Sequence, residues 1–120
     1  MTISEVSKSY NVAPSTLRYY ESIGLLPHIQ RTDGGVRSYT DEDCKRLEVI
    51  LFMKRLNIPL EPVKEYISHS GADEKEERKN LLVGYRQNLI DKINDMQASL
   101  SVINSCIENF DEFDRAAYSM

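Results

Sequence analysis

Tryptophan is missing from this chain of 120 residues, and cysteine nearly so, with only Cys44 and Cys106. Two cysteines without a CxxC pair exclude a disulfide framework and a zinc knuckle, so free thiols and no metal site are expected. No apolar run approaches the roughly 18 to 20 residues of a membrane span, and the opening "MTISEVSKSY" lacks the basic-then-apolar order of a signal peptide. A cytoplasmic protein without a membrane partner is the expectation. A cationic excess is also lacking: the net charge is −4 and the isoelectric point about 5.2. That argues against binding a polyanion over the whole surface, but not through a local patch. Nucleophile–base pairs, carboxylate pairs and phosphate loops are absent too, since Asp33-Gly34-Gly35 alone is no GxGxxG motif. Neither an enzyme nor a cofactor is expected.

What is present suits one small domain with an accessory element: 41% of the residues are hydrophobic, too few in a chain this short for a deep catalytic pocket. Charge is unevenly placed. Residues 1–70 hold nine Lys and Arg against nine Asp and Glu, so the other 6 basic and 10 acidic residues put the whole −4 in residues 71–120.

Helix signals begin at once. In "TISE", Thr2 can cap a helix while Glu5 reaches back, and Asn11 can end it in a left-handed conformation. "APSTLRYYESIG" follows, with Pro14 in the first turn and Gly24 just past the end. Two short helices joined by a tight turn have helix-turn-helix spacing. Asp33-Gly34-Gly35 then signals a hairpin turn, whose flanks "HIQR" and "VRSY" can pair as short strands carrying Arg31 and Arg37. Thr40 opens a third helix with Asp41, Glu42 and Asp43 in its first turn; Asn57 ends it, and a fourth helix starts near Pro59 to Pro62.

Beyond Asp73 the pattern changes. Leu89, Ile93, Met96, Leu100, Ile103, Ile107 and Phe110 recur at alternating spacings of 4 and 3, a heptad seam, with Leu81, Leu82 and Tyr85 forming a broader face upstream. A helix over about 74–113 would reach ~60 Å and leave its seam bare, so a homodimer is expected, with Leu82 and the seven seam residues at its interface.

Helix-turn-helix, basic hairpin, helix pair and long terminal helix, in that order, resemble the MerR family of bacterial transcription regulators over nearly the whole chain. The resemblance rests on "TISEVSKSYNVAPSTLRYYESIGLLP", "RTDGGVRSYTDEDCKRL" and "MKRLNIPLEPVKEY". Ala13, Asn57, Pro59 and Pro62 depart from the family's usual residues, at caps rather than recognition groups. The resemblance implies a mainly α fold: a winged helix-turn-helix head over residues 1–70, then a linker, dimerisation helix and short tail over 71–120. Within the head it places the helix-turn-helix at 2–23, the wing at 28–40 and the helix pair at 41–69. The dimerisation helices would pair as an antiparallel coiled coil. It also implies binding of double-stranded promoter DNA by the homodimer, whose distortion of the promoter spacer lets RNA polymerase meet both elements in register.

Carried onto this chain, the resemblance makes Ser15, Thr16, Arg18, Tyr19, Tyr20, Arg31, Arg37, Tyr39, Lys54 and Arg55 candidate DNA contacts. Arg18 would enter the major groove, where a guanidinium binds guanine bidentately or clamps phosphate. A surface arginine paired with Glu21 or Glu5 is the plainer alternative. Tyr19 and Tyr20 lie ~100° apart on a helix, so both cannot face DNA equally. Ser15 and Thr16 suit phosphate at a helix N-terminus, or ordinary capping. Arg31, Arg37 and Tyr39 belong to the wing on the phosphate backbone, unless Arg31 simply pairs with Asp33. Lys54 and Arg55 fall at a second wing, where helix-surface charge explains them nearly as well.

The signal is less legible. Metal-sensing relatives need several thiolates near the end of the long helix, where only Cys106 stands, and multidrug-sensing relatives add a large ligand domain. Relatives that answer to electrophiles or other stress use a cysteine near Phe52, which this chain lacks. Cys44 and Cys106 remain the candidates for redox sensing, with Cys44 more simply a buried small hydrophobe. A protein-interaction module built on the coiled coil, without specific DNA binding, is the alternative function.

Overall fold

Thr2 and Glu5 do form a reciprocal cap: the Glu5 N–H donates to Thr2 Oγ1 at 3.2 Å and the Thr2 N–H to Glu5 Oε1 at 3.1 Å. They open helix α1, Ile3–Tyr10, which Asn11 ends in the left-handed conformation at φ 53°. The structure, a computed structural model, describes residues 1–118. Helix α2, Pro14–Ser22, begins at Ala13 without a side-chain cap, and the chain leaves it through Gly24 at φ +79°. A side chain at Gly24 would meet that strained backbone and sit 3.4 Å from the Lys64 side chain, so glycine is required there.

Helix α3, Asp41–Arg55, opens on a second reciprocal cap, Thr40 with Asp43, and three acids fill its first turn. Asn57 follows its end at φ 61°. Helix α4, Leu60–Ser68, uses Pro59 as its cap residue and keeps Pro62 in the first turn, where a missing N–H has no consequence. A short 3-10 turn, Ala72–Glu74, leads into α5, Lys75–Glu108.

The hairpin differs from expectation. "HIQR" and "VRSY" do not become strands; a single antiparallel bridge joins Arg31 and Arg37. Its bonds run from Thr32 N to Val36 O and from Ser38 N to Gln30 O, both 2.7 Å. The next bond outward, from the Gln30 N–H to Ser38 O, is not made, and the rung beyond it, at Ile29 and Tyr39, would need the Thr40 N–H, which instead donates to Asp43 Oδ2 at 2.9 Å in the cap of α3. Helix capping therefore bars a ladder that reaches as far as Tyr39.

The chain divides into two compact units, Met1–Arg78 and Lys79–Met120. All buried residues among those described lie in the first. Its core joins Val6 of α1, Leu17 and Tyr20 of α2, Leu25, Leu26 and Ile29 after it, Leu47, Ile50 and Met53 of α3, and Val63 of α4. Helix α3 is apolar on a second side as well, where Val49, Phe52 and Leu56 stand exposed.

In the second unit α5 runs to Glu108 and α6, Phe110–Tyr118, follows. The heptad pattern predicts one continuous helix to about residue 113; the break falls at Asn109, whose side-chain amide donates to Ser105 O at 3.2 Å. A side chain that competes for helical carbonyls makes asparagine a poor interior residue. The heptad seam is bare: Leu89, Ile93, Met96, Leu100, Ile103, Ile107 and Phe110 are 42% to 72% exposed, and Leu82 is exposed too.

Because Leu17 is fully buried where α2 meets the rest of the head, Leu17→Ala is expected to destabilise the protein by about 2–5 kcal/mol. Urea unfolding followed by circular dichroism checks it; a loss under about 1 kcal/mol would contradict this packing.

Candidate nucleic-acid interface

Helix α2 presents two faces. Leu17 and Tyr20 point into the core, and Ser15, Arg18 and Tyr19 remain exposed, with Thr16 half-buried. Ala13 offers no side-chain cap, Pro14 has no N–H and the Thr16 N–H donates to the Ala13 carbonyl at 3.0 Å, which leaves the Ser15 N–H available to an anion. Arg18 makes no hydrogen bond or ion pair with any described residue. Neither plainer partner takes it, since Glu5 is occupied in the α1 cap and Glu21 is bound elsewhere.

The two adjacent tyrosines separate cleanly. Tyr19 is half exposed, whereas the Tyr20 ring is buried. The Tyr20 hydroxyl accepts a hydrogen bond from Lys54 Nζ at 3.1 Å, and the same ammonium stands 5.5 Å from the ring centre. Tyr20 therefore belongs to the core as a tie between α2 and the end of α3, and Lys54 is held rather than free. Arg55, next along, is exposed.

The wing is braced from within. Arg31 Nη1 donates to the Gly35 carbonyl at 2.9 Å, across the turn, and does not pair with Asp33. Gly35, at φ +80°, needs its missing side chain for that turn. Arg37 Nε donates to Glu21 Oε1 at 3.0 Å, and His28 Nδ1 lies 3.2 Å from Glu21 Oε2. Burial would raise the Glu21 carboxyl; the hydrogen bond and charge of Arg37 outweigh it and hold Glu21 below the usual carboxylate value, helped by the Ile29 N–H and His28. Tyr39 is 4% exposed and its hydroxyl is buried without a partner. Burial raises its pKa, and Arg37, Glu21, Asp43 and Arg18 all act on it electrostatically.

The sequence points to Arg18 and the wing arginines but not to the role of Glu21. The usable signal is an acid on α2, one turn from Arg18 and facing a basic hairpin. Cys44 is buried on α3, and burial pushes its thiol up, away from a reactive thiolate. Its neighbour Tyr10 donates to Glu48 Oε1 at 2.9 Å, which with burial takes the phenol up to about 12. Cys106 is half-buried on α5. Among the described residues no group of three or more His, Cys, Asp or Glu could hold a metal ion, and no helix is long and apolar enough to cross a membrane.

A capped helix pair, a basic hairpin tied to the second helix, and a third and fourth helix closing the core define a winged helix-turn-helix head. Residues 1–70 match the MerR HTH family of regulatory proteins, and the chain belongs to that family. As a member it carries the DNA-binding head of a transcription regulator. It is 40% identical over 93 residues to the HTH-type transcriptional regulator AdhR of Bacillus subtilis (strain 168), covering 76% of this chain and 66% of AdhR. The chain thus spans just under two thirds of that relative, and 47% of the Escherichia coli (strain K12) regulator ZntR, to which it is 41% identical over 66 residues. Among solved structures, a MerR family regulator from Bacillus thuringiensis is similar at 32% identity and a TM-score of 0.63, over 91% of this chain and 97% of that one. The fold alone is shared, at 24% identity and a TM-score of 0.62, with HiNmlR, a MerR family regulator lacking the sensor domain and solved bound to promoter DNA; 98% of this chain and 94% of that one are covered.

Since Cys44 is a core residue, iodoacetamide near neutral pH is expected to leave it unmodified in the folded protein and to alkylate it in urea. Peptide mass spectrometry distinguishes the two; equal rates in both states would contradict its burial.

Proposed function

We propose that this protein binds promoter DNA as a homodimer and controls transcription by distorting the promoter spacer for RNA polymerase. The observation that carries the reading is the placing of one unpaired and two braced arginines on a head of zero net charge. Arg18 is exposed on α2 and unpaired, while Arg31 and Arg37 project from the two arms of a hairpin braced by its own hydrogen bonds. On this reading α2 enters the major groove with Arg18 at a base edge or phosphate, and Tyr19, Ser15 and Thr16 support it along the backbone. The wing lies on phosphates, which gives affinity and register. Arg55 reaches a flanking phosphate, whereas Tyr20, Tyr39 and Lys54 act from behind by fixing α2, the wing and α3. A protein-interaction module without DNA binding would leave the unpaired Arg18 unexplained.

Dimerisation follows from the bare seam of α5, which in water is stable only against another apolar surface. Antiparallel pairing through Leu82, Leu89, Ile93, Met96, Leu100, Ile103, Ile107 and Phe110 would hold two heads over one pseudo-palindromic operator. Bending and untwisting ~20 base pairs involves a few kcal/mol, which is the scale a regulator can switch. The burial of Cys44 speaks against an inducer that acts by thiol chemistry there.

Two measurements test the proposal. With duplex DNA selected by the wild-type protein from a random pool, Arg18→Ala is expected to weaken binding by about 1–3 kcal/mol, and Arg31→Ala to lower the slope of log affinity against log salt by about one. Unchanged affinity and slope in both variants would overturn the assignment of this face to DNA. For the dimer, Ile93→Asp combined with Leu100→Asp is expected to give monomers in sedimentation equilibrium, and a persisting dimer would place the interface elsewhere.

A further inference from the structure

Glu21 stands where a carboxylate is least expected. It lies on α2 one turn from Arg18, so on a helix the two share a side, and a bare negative charge there would repel a polyanion. It is not bare: its side chain is 9% exposed and both oxygens are engaged, Oε1 by Arg37 Nε at 3.0 Å and Oε2 by His28 Nδ1 at 3.2 Å. His28 precedes the wing turn and Arg37 follows it, so one carboxylate ties α2 to both arms of the hairpin. His28 itself is 86% exposed, and Arg37 is the firmer partner at 21%.

The manner of the Arg37 contact matters more than its existence. A guanidinium has five donor hydrogens in a planar fork, and Glu21 takes the one on Nε. The terminal nitrogens of Arg37 have no hydrogen-bond partner among the described residues. Fixing Nε also fixes the plane of the fork, and the largely covered stem removes most of the side chain's freedom. Next to it, the Tyr39 hydroxyl is buried and unpartnered within the electrostatic reach of Arg18, Arg37 and Glu21. For a phosphate oxygen at this place the remaining donors are the terminal nitrogens of Arg37, since the Tyr39 hydroxyl is enclosed.

We infer that Glu21 is a positioning residue of the DNA interface, holding the Arg37 guanidinium by Nε so that its terminal nitrogens are preset for a backbone phosphate. The inference rests on the DNA-binding function proposed above. Preorganisation removes the entropy that a free arginine loses when it is immobilised in a complex, a factor of roughly 3- to 10-fold in affinity. Simple electrostatics predicts the opposite sign, because taking an acid off a DNA-binding face should strengthen binding.

The opposition of signs makes the test decisive. Affinity for the duplex selected by the wild-type protein is measured by fluorescence anisotropy, at a temperature where thermal unfolding shows each variant folded. Glu21→Met, similar in size but without an acceptor, is expected to bind about 3- to 10-fold more weakly than wild type. Glu21→Gln keeps an oxygen for Arg37 Nε and is expected to bind at least as tightly as wild type. With Arg37→Ala already present, Glu21→Met should produce no further loss. Equal affinity of the Met and Gln variants, or a loss of the same size without Arg37, overturns the inference while leaving DNA binding intact. Should Glu21→Met not fold, Arg37→Lys decides: it keeps the charge but has no fork to serve carboxylate and phosphate together, so a loss of about 3- to 10-fold is expected and wild-type affinity overturns the inference. A wild-type chain that binds no duplex overturns both this and the function it rests on.

Discussion

A carboxylate withdrawn from water is tolerated only while a cation answers it, and in the head that condition joins Glu21 to Arg37. Much of the candidate interface depends on this pair. It fixes the hairpin against α2, it settles which nitrogens of Arg37 remain for other partners, and it leaves Arg18 without a competing acid on its own helix. The hairpin has one rung of ladder, far too little to be rigid alone. Its stiffness comes from side chains: Arg31 bracing the Gly35 carbonyl, and Glu21 gripping the far arm.

The charge distribution has the same logic. The head carries as many acids as bases, yet they are not equivalent in use. Glu5 and Asp43 serve as helix caps, Asp41 and Glu42 stand at the positive end of α3, and Glu21 is occupied by Arg37 and His28. With these five acids engaged, Arg18 stands exposed and unpaired on a head of zero net charge. The acidic excess falls in the remainder of the chain, so the protein as a whole has little nonspecific attraction to nucleic acid. On the function proposed above, affinity comes through the α2 and wing face.

Much of this was legible in the residues. The two capping boxes, the left-handed Asn11, the Pro14 start and Gly24 exit of α2, and the core periodicity are local, and local rules read them. Three features resisted for one reason, that they depend on contacts distant in sequence. Tyr19 and Tyr20 could not be told apart until Lys54, 34 residues on, was seen to meet the Tyr20 hydroxyl. Glu21 read only as one of two alternative partners for Arg18, with Glu5 the other, whereas folding brings Arg37 to it from 16 residues away. The hairpin read as two strands because its composition suits them, whereas beyond the bridge the second arm meets the N-terminus, 38 residues away: the Tyr39 N–H donates to Met1 O and the Met1 amine to Tyr39 O. The break at Asn109 is different: its side-chain competition is local, and the strong heptad pattern around it masked the signal.

The Thr40 N–H links wing and α3 as alternatives. It satisfies Asp43 now, and a hairpin that reached Tyr39 would require it to turn toward the His28 carbonyl instead. One hydrogen cannot serve both acceptors well, so a hairpin paired as far as Ile29 and Tyr39 would uncap α3, whereas the rung before it, from the Gln30 N–H to Ser38 O, would leave the cap intact. The first turn of a core helix thus sets an outer limit on the length of the wing.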